Sequence, residues 1–384
     1  MNAIYKRIAL AAIIFGTMVS ALMQTLLTMS LPKISHDINA SAWYGWITGV
    51  YVASSTLFIP VAVKLIQKFD LRTIYSSAMI IWLLGTALVA GSDNGFEILF
   101  GRLVQGIGTA GLVPAGMEVA SVIVGSQFGY FVGVMAAAQS IAIAIGAPLG
   151  GLVSGSLGWR GSLWVISGLM VIIFALAVST LPKVSGDGVH GSKWREIWRL
   201  PEAKKVLIHS ILLSGVYFAL VTFVPLLLKE KYLFTTAQIS VFILPLLLGT
   251  AIGALLVNKL KSFWGWIPIA WLASAIGCIF TMFPSALFVS AGGAIVSIGV
   301  GAGLTMLLLI LKNELHASAS AASGAIQATR NIGGAAFAII LTIPIQVGIS
   351  NEVAALFSCL VLAVVSLCAW ISFGGNIFVR ALKR

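Results

Sequence analysis

The sequence predicts an all-α integral membrane protein with twelve transmembrane helices in two six-helix, pseudo-repeated bundles. Three observations predict this fold: the composition, a succession of long apolar runs, and a one-sided distribution of lysine and arginine. Of the 384 residues, 59% are hydrophobic and 9% are charged, whereas an ordinary soluble domain is about 25% charged. So few charges cannot cover a soluble surface, and most of this surface must therefore face lipid.

Twelve runs reach the roughly 20 apolar residues that a spanning helix needs. The fourth and fifth runs, and the ninth and tenth, are nearly fused, which leaves eleven spans as an alternative. The first run follows Lys6 and Arg7 but is longer than the roughly 7–15 apolar residues of a signal peptide, so we interpret it as an uncleaved spanning helix. The runs are 8–31, 41–63, 73–91, 96–120, 127–153, 161–181, 206–228, 238–258, 264–283, 286–311, 320–343 and 353–375.

Lysine and arginine orient these spans, because positive residues accumulate in cytoplasmic loops. With a cytoplasmic amino terminus, 17 of the 23 Lys and Arg residues fall on the cytoplasmic side, four fall outside, and Arg102 and Arg330 lie within spans. The prediction is a multi-pass protein of the cell membrane with both termini in the cytoplasm. The net charge of +12 does not indicate nucleic-acid binding, since the positive residues sit in short clusters between apolar runs.

A polar segment near the middle of the chain divides the spans into two groups of six. It predicts an N-terminal bundle over residues 1–182, a cytoplasmic linker with an interfacial helix over 183–205, and a C-terminal bundle over 206–384. "IGTAGL" (107–112) and "IGVGAGL" (298–304) form a weak internal repeat. Repeated six-helix halves predict a transporter whose site lies near the bilayer midplane.

Two charged residues lie inside the fourth span. An arginine at mid-bilayer costs about 2.5–3.5 kcal/mol on insertion scales, so Arg102 is predicted to line the substrate cavity or to bias a proton site. The alternative is a structural arginine bonded to helix carbonyls. Glu118 is the candidate proton carrier, and its alternative is a side chain that reaches the cytoplasmic interface. The sixteen residues between them correspond to about 24 Å of helix, so the two charges cannot pair.

Other residues in the spans are predicted to line the cavity or to form the gates. Arg330 lies near the cytoplasmic third of its span and is predicted to close a gate rather than to contact substrate. Glycines spaced four residues apart allow close helix packing, and a proline bends a helix, which predicts gating roles for Gly146, Pro148 and Gly150. The predicted cavity residues besides Arg102 are Gln24, Tyr51, Gln105, Gln139 and Tyr217.

The sequence lacks the signatures of the main rival classes. It contains no H-E-x-x-H motif, no nucleophile elbow and no G-x-x-x-x-G-K-[ST] loop, so neither an enzyme nor an ATP-driven pump is predicted. The three cysteines fall inside apolar runs, which predicts neither a metal site nor a disulfide framework. We expect no cofactor, a small-molecule substrate, protons and the lipid bilayer as partners, and a monomer. A receptor that binds ligand without moving it stays open.

Several of these segments resemble one family. "RLVQGIGTA" (102–110) resembles the helix 4 signature of the drug/proton antiporters of the major facilitator superfamily, and "GAPLGG" (146–151) resembles their helix 5 signature. "GWRGSLW" (158–164) and "SGAIQATRNIGGAAFAI" (323–339) are also similar to segments of these proteins. The resemblance spans essentially the whole chain. It implies proton-coupled export of a drug-like or amphipathic compound by alternating access.

Two departures from the family pattern bear on this expectation. In "VKLIQKFDLR" (63–72), Gln67 replaces the aspartate that supports the gate, which leaves Lys68, Arg72 and the nearby Asp70 as its predicted gating residues. In helix 1, Met23 replaces the aspartate of the L-D-x-T pattern. Either Glu118 takes over proton coupling, or the protein is an uncoupled facilitator or a transporter of a small organic metabolite.

Overall fold

The computed structural model describes residues 2–38, 44–185, 194–257, 266–346 and 351–381. These residues are predominantly α-helical, which confirms the predicted all-α class. A 3-10 turn follows the fifth helix at Gly125–Gln127, and a π-helical turn follows the twelfth at Ile310–Glu314.

The helices follow the predicted spans closely. The first six spans correspond to α1 (Ala3–Asp37), α2 (Tyr44–Leu57), α3 (Ile59–Ile66), α4 (Leu71–Ala90), α5 (Gly95–Val124) and α6 (Phe128–Thr180). The short α7 (Trp194–Ile197) lies in the predicted linker. The last six spans correspond to α8 (Pro201–Tyr232), α9 (Thr236–Phe242), α10 (Leu244–Leu256), α11 (Ile267–Phe280), α12 (Ala286–Leu309), α13 (Ala319–Gln346) and α14 (Asn351–Ala381).

Proline and glycine explain where the helices differ from the predicted spans. The second and eighth spans are each broken into two helices, and Pro60 and Pro245 stand in the first turn of α3 and α10. Proline lacks an N–H and has a helical φ, so it is suited to the start of a helix. The fifth and sixth spans meet at a kink in α6, where Gly158 has φ 71°, a backbone conformation that glycine adopts without steric cost.

The helices have the length and composition that a bilayer requires. Eight helical stretches of the described residues are long and apolar enough to cross a membrane, and shorter apolar helices lie at Ile267–Phe280 and Leu356–Ile371. One of the eight stretches, Gly95–Gly146, contains the predicted fourth and fifth spans. Helices satisfy their own backbone hydrogen bonds, which lipid cannot do.

The chain forms two compact units. The first consists of Met1–Phe131, Ala142–Trp198 and His316–Ala328, and the second of Val132–Ile141, Arg199–Leu315 and Thr329–Arg384. In the first unit, α4 and α2 pack against α5; in the second, α10 and α11 pack against α12, and α14 packs against α11. The helices α6 and α13 contribute residues to both units. The predicted boundaries at 182 and 206 stay a prediction.

Candidate functional site

The guanidinium of Arg102 lies buried between α5 and α2 of the first unit. Its side chain is 0% exposed. Nε donates to the carbonyl oxygen of Ile47 on α2 at 3.0 Å, and Nη1 donates to Oε1 of Gln105 one turn further along α5. The Cζ atom lies 4.1 Å from the ring centroid of Tyr51, close enough for a cation–π contact.

The polar stripe of α5 continues from Arg102 through neighbouring side chains. Gln105 Nε2 donates to Oγ1 of Thr86 on α4 at 2.8 Å. The hydroxyls of Tyr51 and Thr109 are 3.1 Å apart. Since Arg102, Gln105 and Thr109 are spaced i, i+3 and i+7, they share one helix face. This network therefore links α2, α4 and α5 inside an apolar bundle.

A glycine explains how these helices come close enough. A Cβ atom at Gly106 would overlap Oγ of Ser54 and would lie 2.7 Å from the carbonyl oxygen of Tyr51, both on α2. Any larger residue at position 106 would push α2 away from α5. The missing side chain thus allows the Tyr51 ring to reach Arg102.

Glu118 lies buried at the other end of α5, with 3% of its surface exposed. Its Oε2 accepts a hydrogen bond from the backbone N–H of Ser320 at 2.6 Å, and its Oε1 lies 3.4 Å from the donating hydroxyl of Ser121. Ser320 belongs to the first turn of α13, whose backbone N–H groups have no partner inside the helix. Glu118 therefore caps the amino terminus of α13, as Ser318 also does through its bond from Ala321 N at 3.2 Å.

The first turns of α13 also pack closely against apolar side chains of the first unit. A Cβ atom at Gly324 would lie 2.9 Å from Ile59 and 3.1 Å from Val63, both on α3, and 3.4 Å from the ring of Trp194 on α7. The start of α13 is thus held on one side by the Glu118 carboxylate and on another by this apolar contact.

Arg330 is placed differently, further along α13 and in the second unit. Its side chain keeps part of its surface accessible. Its Cζ lies 5.8 Å from the ring centroid of Phe218, and it interacts electrostatically with Tyr217, the preceding residue on α8. Tyr217 is within hydrogen-bonding reach of Thr250, whose Oγ1 lies 2.7 Å from Oγ of Ser140.

The remaining residues that were predicted to line the cavity or to form the gates differ in burial and in contacts. Gln24 and Gln139 are half-buried, Lys68 is exposed and Arg72 is half-buried. Asp70 caps α4, since Oδ2 accepts bonds from the N–H and the hydroxyl of Thr73 at 3.0 and 3.1 Å. A Cβ atom at Gly146 would lie 2.8 Å from Thr25 on α1. The surroundings of Pro148 and Gly150 lie outside the described part of α6. The predicted cavity, proton and gating roles of all these residues stay predictions.

Sequence reasoning missed the partners rather than the charged residues. The Ile47 carbonyl and Ser320 bond the charged groups of Arg102 and Glu118, and Thr86 bonds the Gln105 side chain, yet none of them stands out in an apolar run. The sequence identified Arg102 and Gln105 as cavity candidates. Which helices lie against them could be found only from the structure.

Comparison with known proteins identifies the family to which this chain belongs. The model of the Major Facilitator Superfamily matches residues 13–338. The chain belongs to this superfamily. This membership and the apolar helices identify a multi-pass membrane protein, and the suspected resemblance is confirmed.

Relatives of this superfamily member carry the names of transporters. Multidrug transporter protein MdtP of Bacillus subtilis (strain 168) is 31% identical over 175 residues, which cover 44% of this chain and 32% of MdtP. The uncharacterized MFS-type transporter YcnB of the same organism is 28% identical over 273 residues, which cover 66% of this chain and 58% of YcnB. The chain thus spans less than two thirds of the length of either relative.

A solved structure shows the shared fold. The crystal structure of the human organic anion transporter MFSD10 (TETRAN) matches with a TM-score of 0.76 and 13% identity, covering 97% of this chain and 100% of that one. At this identity the likeness is one of architecture alone. This shared architecture agrees with the all-α fold that the sequence predicts.

Proposed function

We propose that this protein is a secondary active transporter that exports a drug-like or amphipathic small molecule in exchange for protons by alternating access. It would act in the cell membrane with both termini in the cytoplasm. Membership of the superfamily supports the transport activity. Relatives named as a multidrug transporter and as efflux pumps support export.

The observation that carries proton coupling is the bond between Glu118 and the start of α13. A carboxylate is favoured at a helix amino terminus, where the helix dipole is positive. Protonation would remove that negative charge and would weaken the 2.6 Å bond to the Ser320 N–H. Because α13 begins in the first unit and continues in the second, proton binding at Glu118 would change how firmly one end of that helix is held.

Arg102 has a positioning role in this proposal. Its bonds to Ile47 and Gln105 and its contact with Tyr51 hold α2 and α5 together. Its Nη2 is buried and has no hydrogen-bond partner among the described residues.

The test is transport by everted membrane vesicles with an imposed proton gradient. Three fluorescent probes of matched size cover three charges: 1-naphthaleneacetate, 1-naphthaleneacetamide and 1-naphthylmethylammonium. We expect the gradient to drive counter-transport of at least one probe. In E118Q, which keeps a carbonyl acceptor but cannot ionise, we expect probe binding to remain and the response to the gradient to be lost.

A matched control removes a carboxylate that has no such position. Glu202 is exposed in the first turn of α8, and E202Q should behave as the wild type. Equal responses of E118Q and wild type to the gradient would contradict the role of Glu118. Probe movement that ignores the gradient in the wild type would reject proton coupling.

The second candidate is a facilitator without proton coupling. Met23, which stands at the position of the helix 1 aspartate, is 1% exposed and packs as an ordinary core residue. No proton can be exchanged at that position. If the wild type moves a probe only down its own gradient, this second candidate is the function.

A further inference from the structure

Arg330 lies on the inner side of α13, away from that helix's exposed face. Ile332 and Ile339 are 46% and 66% exposed, and Ala335 is exposed too. At 3.6 residues per turn, these three lie about 140–200° around the axis from Arg330. The opposite side of α13 packs on α8, since a Cβ atom at Gly334, about 40° around the axis from Arg330, would lie 2.6 Å from the Phe218 ring. The accessible part of Arg330 therefore does not belong to the apolar outer stripe.

Arg330 also lies well away from the ends of α13. Arg330 is the twelfth of the 28 residues of α13, about 17 Å from the helix start at 1.5 Å per residue. Tyr217 is the seventeenth of the 32 residues of α8. Both side chains thus come from the middle parts of long apolar helices, where charged groups are rare and functional.

The guanidinium of Arg330 has no anionic partner in the described part of the protein. The ion pairs His36–Asp37 and Arg160–Asp93 both lie in the first unit and do not involve Arg330. Its Cζ lies 5.8 Å from the Phe218 ring centroid, and it interacts electrostatically with Tyr217, the residue before Phe218. A guanidinium offers five N–H donors in a planar fork that matches carboxylate and phosphate oxygens. Burying a cation of this kind among apolar helices is costly unless it is paired, so an anionic ligand would be favoured there.

Hydroxyl groups next to Arg330 complete the chemistry of an anion subsite. Tyr217 lies beside Arg330 and within reach of Thr250, and Thr250 pairs with Ser140 at 2.7 Å. Hydroxyl donors and a guanidinium together stabilise oxyanions through charge-assisted hydrogen bonds. Phe218 contributes an aromatic face at the same place, suited to the apolar part of an amphipathic molecule.

We propose that Arg330 and Tyr217 form the subsite that binds the negatively charged group of the transported compound, an aryl carboxylate or sulfonate. This inference rests on the proposed transport function and names its substrate class. It assigns Arg330 to substrate recognition, whereas its sequence position predicts a gating residue that does not contact substrate. Arg330 supplies the charge and Tyr217 a hydroxyl donor.

The experiment measures binding of a charge-matched pair by calorimetry on the full-length protein in lipid nanodiscs. 1-Naphthaleneacetate and 1-naphthaleneacetamide have nearly the same shape, and only the first is an anion. A charge-assisted hydrogen bond corresponds to about a tenfold to hundredfold difference in affinity. We expect R330Q to weaken binding of the acetate by that factor and to leave binding of the amide unchanged, and R330K to retain part of the affinity.

Two further variants separate recognition from structure. K229Q removes an exposed positive charge at the end of α8 and should leave both affinities unchanged. Y217F removes one hydroxyl and should weaken acetate binding by about threefold to tenfold, a result that does not depend on whether R330Q folds. Equal losses for acetate and amide, no loss for the acetate, or no binding of either probe at millimolar concentration would overturn the subsite.

Vesicle transport separates this inference from the proposed function. If the wild type transports the probes and R330Q does not change the preference for the acetate, the subsite is wrong and the transport function stands. If the wild type binds the acetate through Arg330 yet moves no probe, the transport function is wrong and the subsite stands.

Discussion

Arg102 and Arg330 are the two arginines that the sequence places inside predicted spans, and the protein surrounds them differently. Arg102 is 0% exposed, with two nitrogens hydrogen-bonded and its plane over the Tyr51 ring. Arg330 keeps part of its surface accessible and contacts two aromatic side chains of α8. The first is hydrogen-bonded within its own unit through two of its three nitrogens, whereas the second interacts with aromatic side chains.

The difference teaches that the position of a charge within a span does not decide its role. A buried polar group whose partners are present contributes to a unique packing arrangement, and loss of one partner leaves the other unpaired. A charge that lacks a partner lowers the stability of the free protein, and binding of a ligand of opposite charge restores that stability. This contrast supports the proposed positioning role of Arg102 and the proposed recognition role of Arg330.

The largest expected effect comes from replacing each arginine by methionine. R102M would leave the Gln105 oxygen without its donor and the Tyr51 ring without its cation, so we expect a loss of about 2–4 kcal/mol of unfolding free energy. R330M removes a charge without orphaning a described hydrogen-bond partner, so we expect a change within about 1 kcal/mol. Reversible unfolding in mixed detergent micelles measures both values.

A conservative substitution, R102K, separates the contribution of the guanidinium's shape from that of its charge. R102K keeps the positive charge but loses the planar fork, so it should recover only a minority of the stability lost in R102M. Similar losses for R102M and R330M would show that both arginines serve the framework, and the distinction between the two regions would be lost.

The sequence predicted the fold because lipid restricts the choices of the chain. Apolar runs of sufficient length must become helices, since no other local structure satisfies their backbone hydrogen bonds, and the breaks at Pro60, Pro245 and Gly158 involve residues with known backbone constraints. The kink at Gly158 was not predicted, and the seven-residue gap between the fifth and sixth spans lies within one helix.

The candidate site was predictable only in part. The sequence predicted Arg102 and Gln105 as cavity residues, but it carries no information on which helices lie against them. The bond between Glu118 and Ser320 joins residues 202 positions apart, and no local pattern indicates it. The sequence therefore predicted two alternative roles for Glu118, a proton carrier or an interfacial side chain. A helix cap was not predicted.

An intermediate effect is expected from Gln105, the side chain between Arg102 and Thr86. Q105L would leave Nη1 of Arg102 without its acceptor and remove the donor to the Thr86 hydroxyl at 2.8 Å, so we expect a loss of about 1–3 kcal/mol. Q139L, at a half-buried glutamine of the second unit, is the matched control and should change stability by less than about 1 kcal/mol. The same unfolding measurement compares them, and a larger loss for Q139L would contradict the enclosed network.

The smallest expected effect is at Tyr51, where two substitutions separate the contributions of the ring and of the hydroxyl to the unfolding free energy. Y51F keeps the ring 4.1 Å from Arg102 and loses only the 3.1 Å contact with Thr109. Thr109 still donates to the Gln105 carbonyl at 3.1 Å, so we expect a loss of about 0.5–1 kcal/mol. Y51L also removes the aromatic face and should lose a further 0.5–2 kcal/mol or so. Equal unfolding free energies for Y51F and Y51L would mean that the ring does not stabilise the cation, and Arg102 would then depend on Ile47 and Gln105 alone.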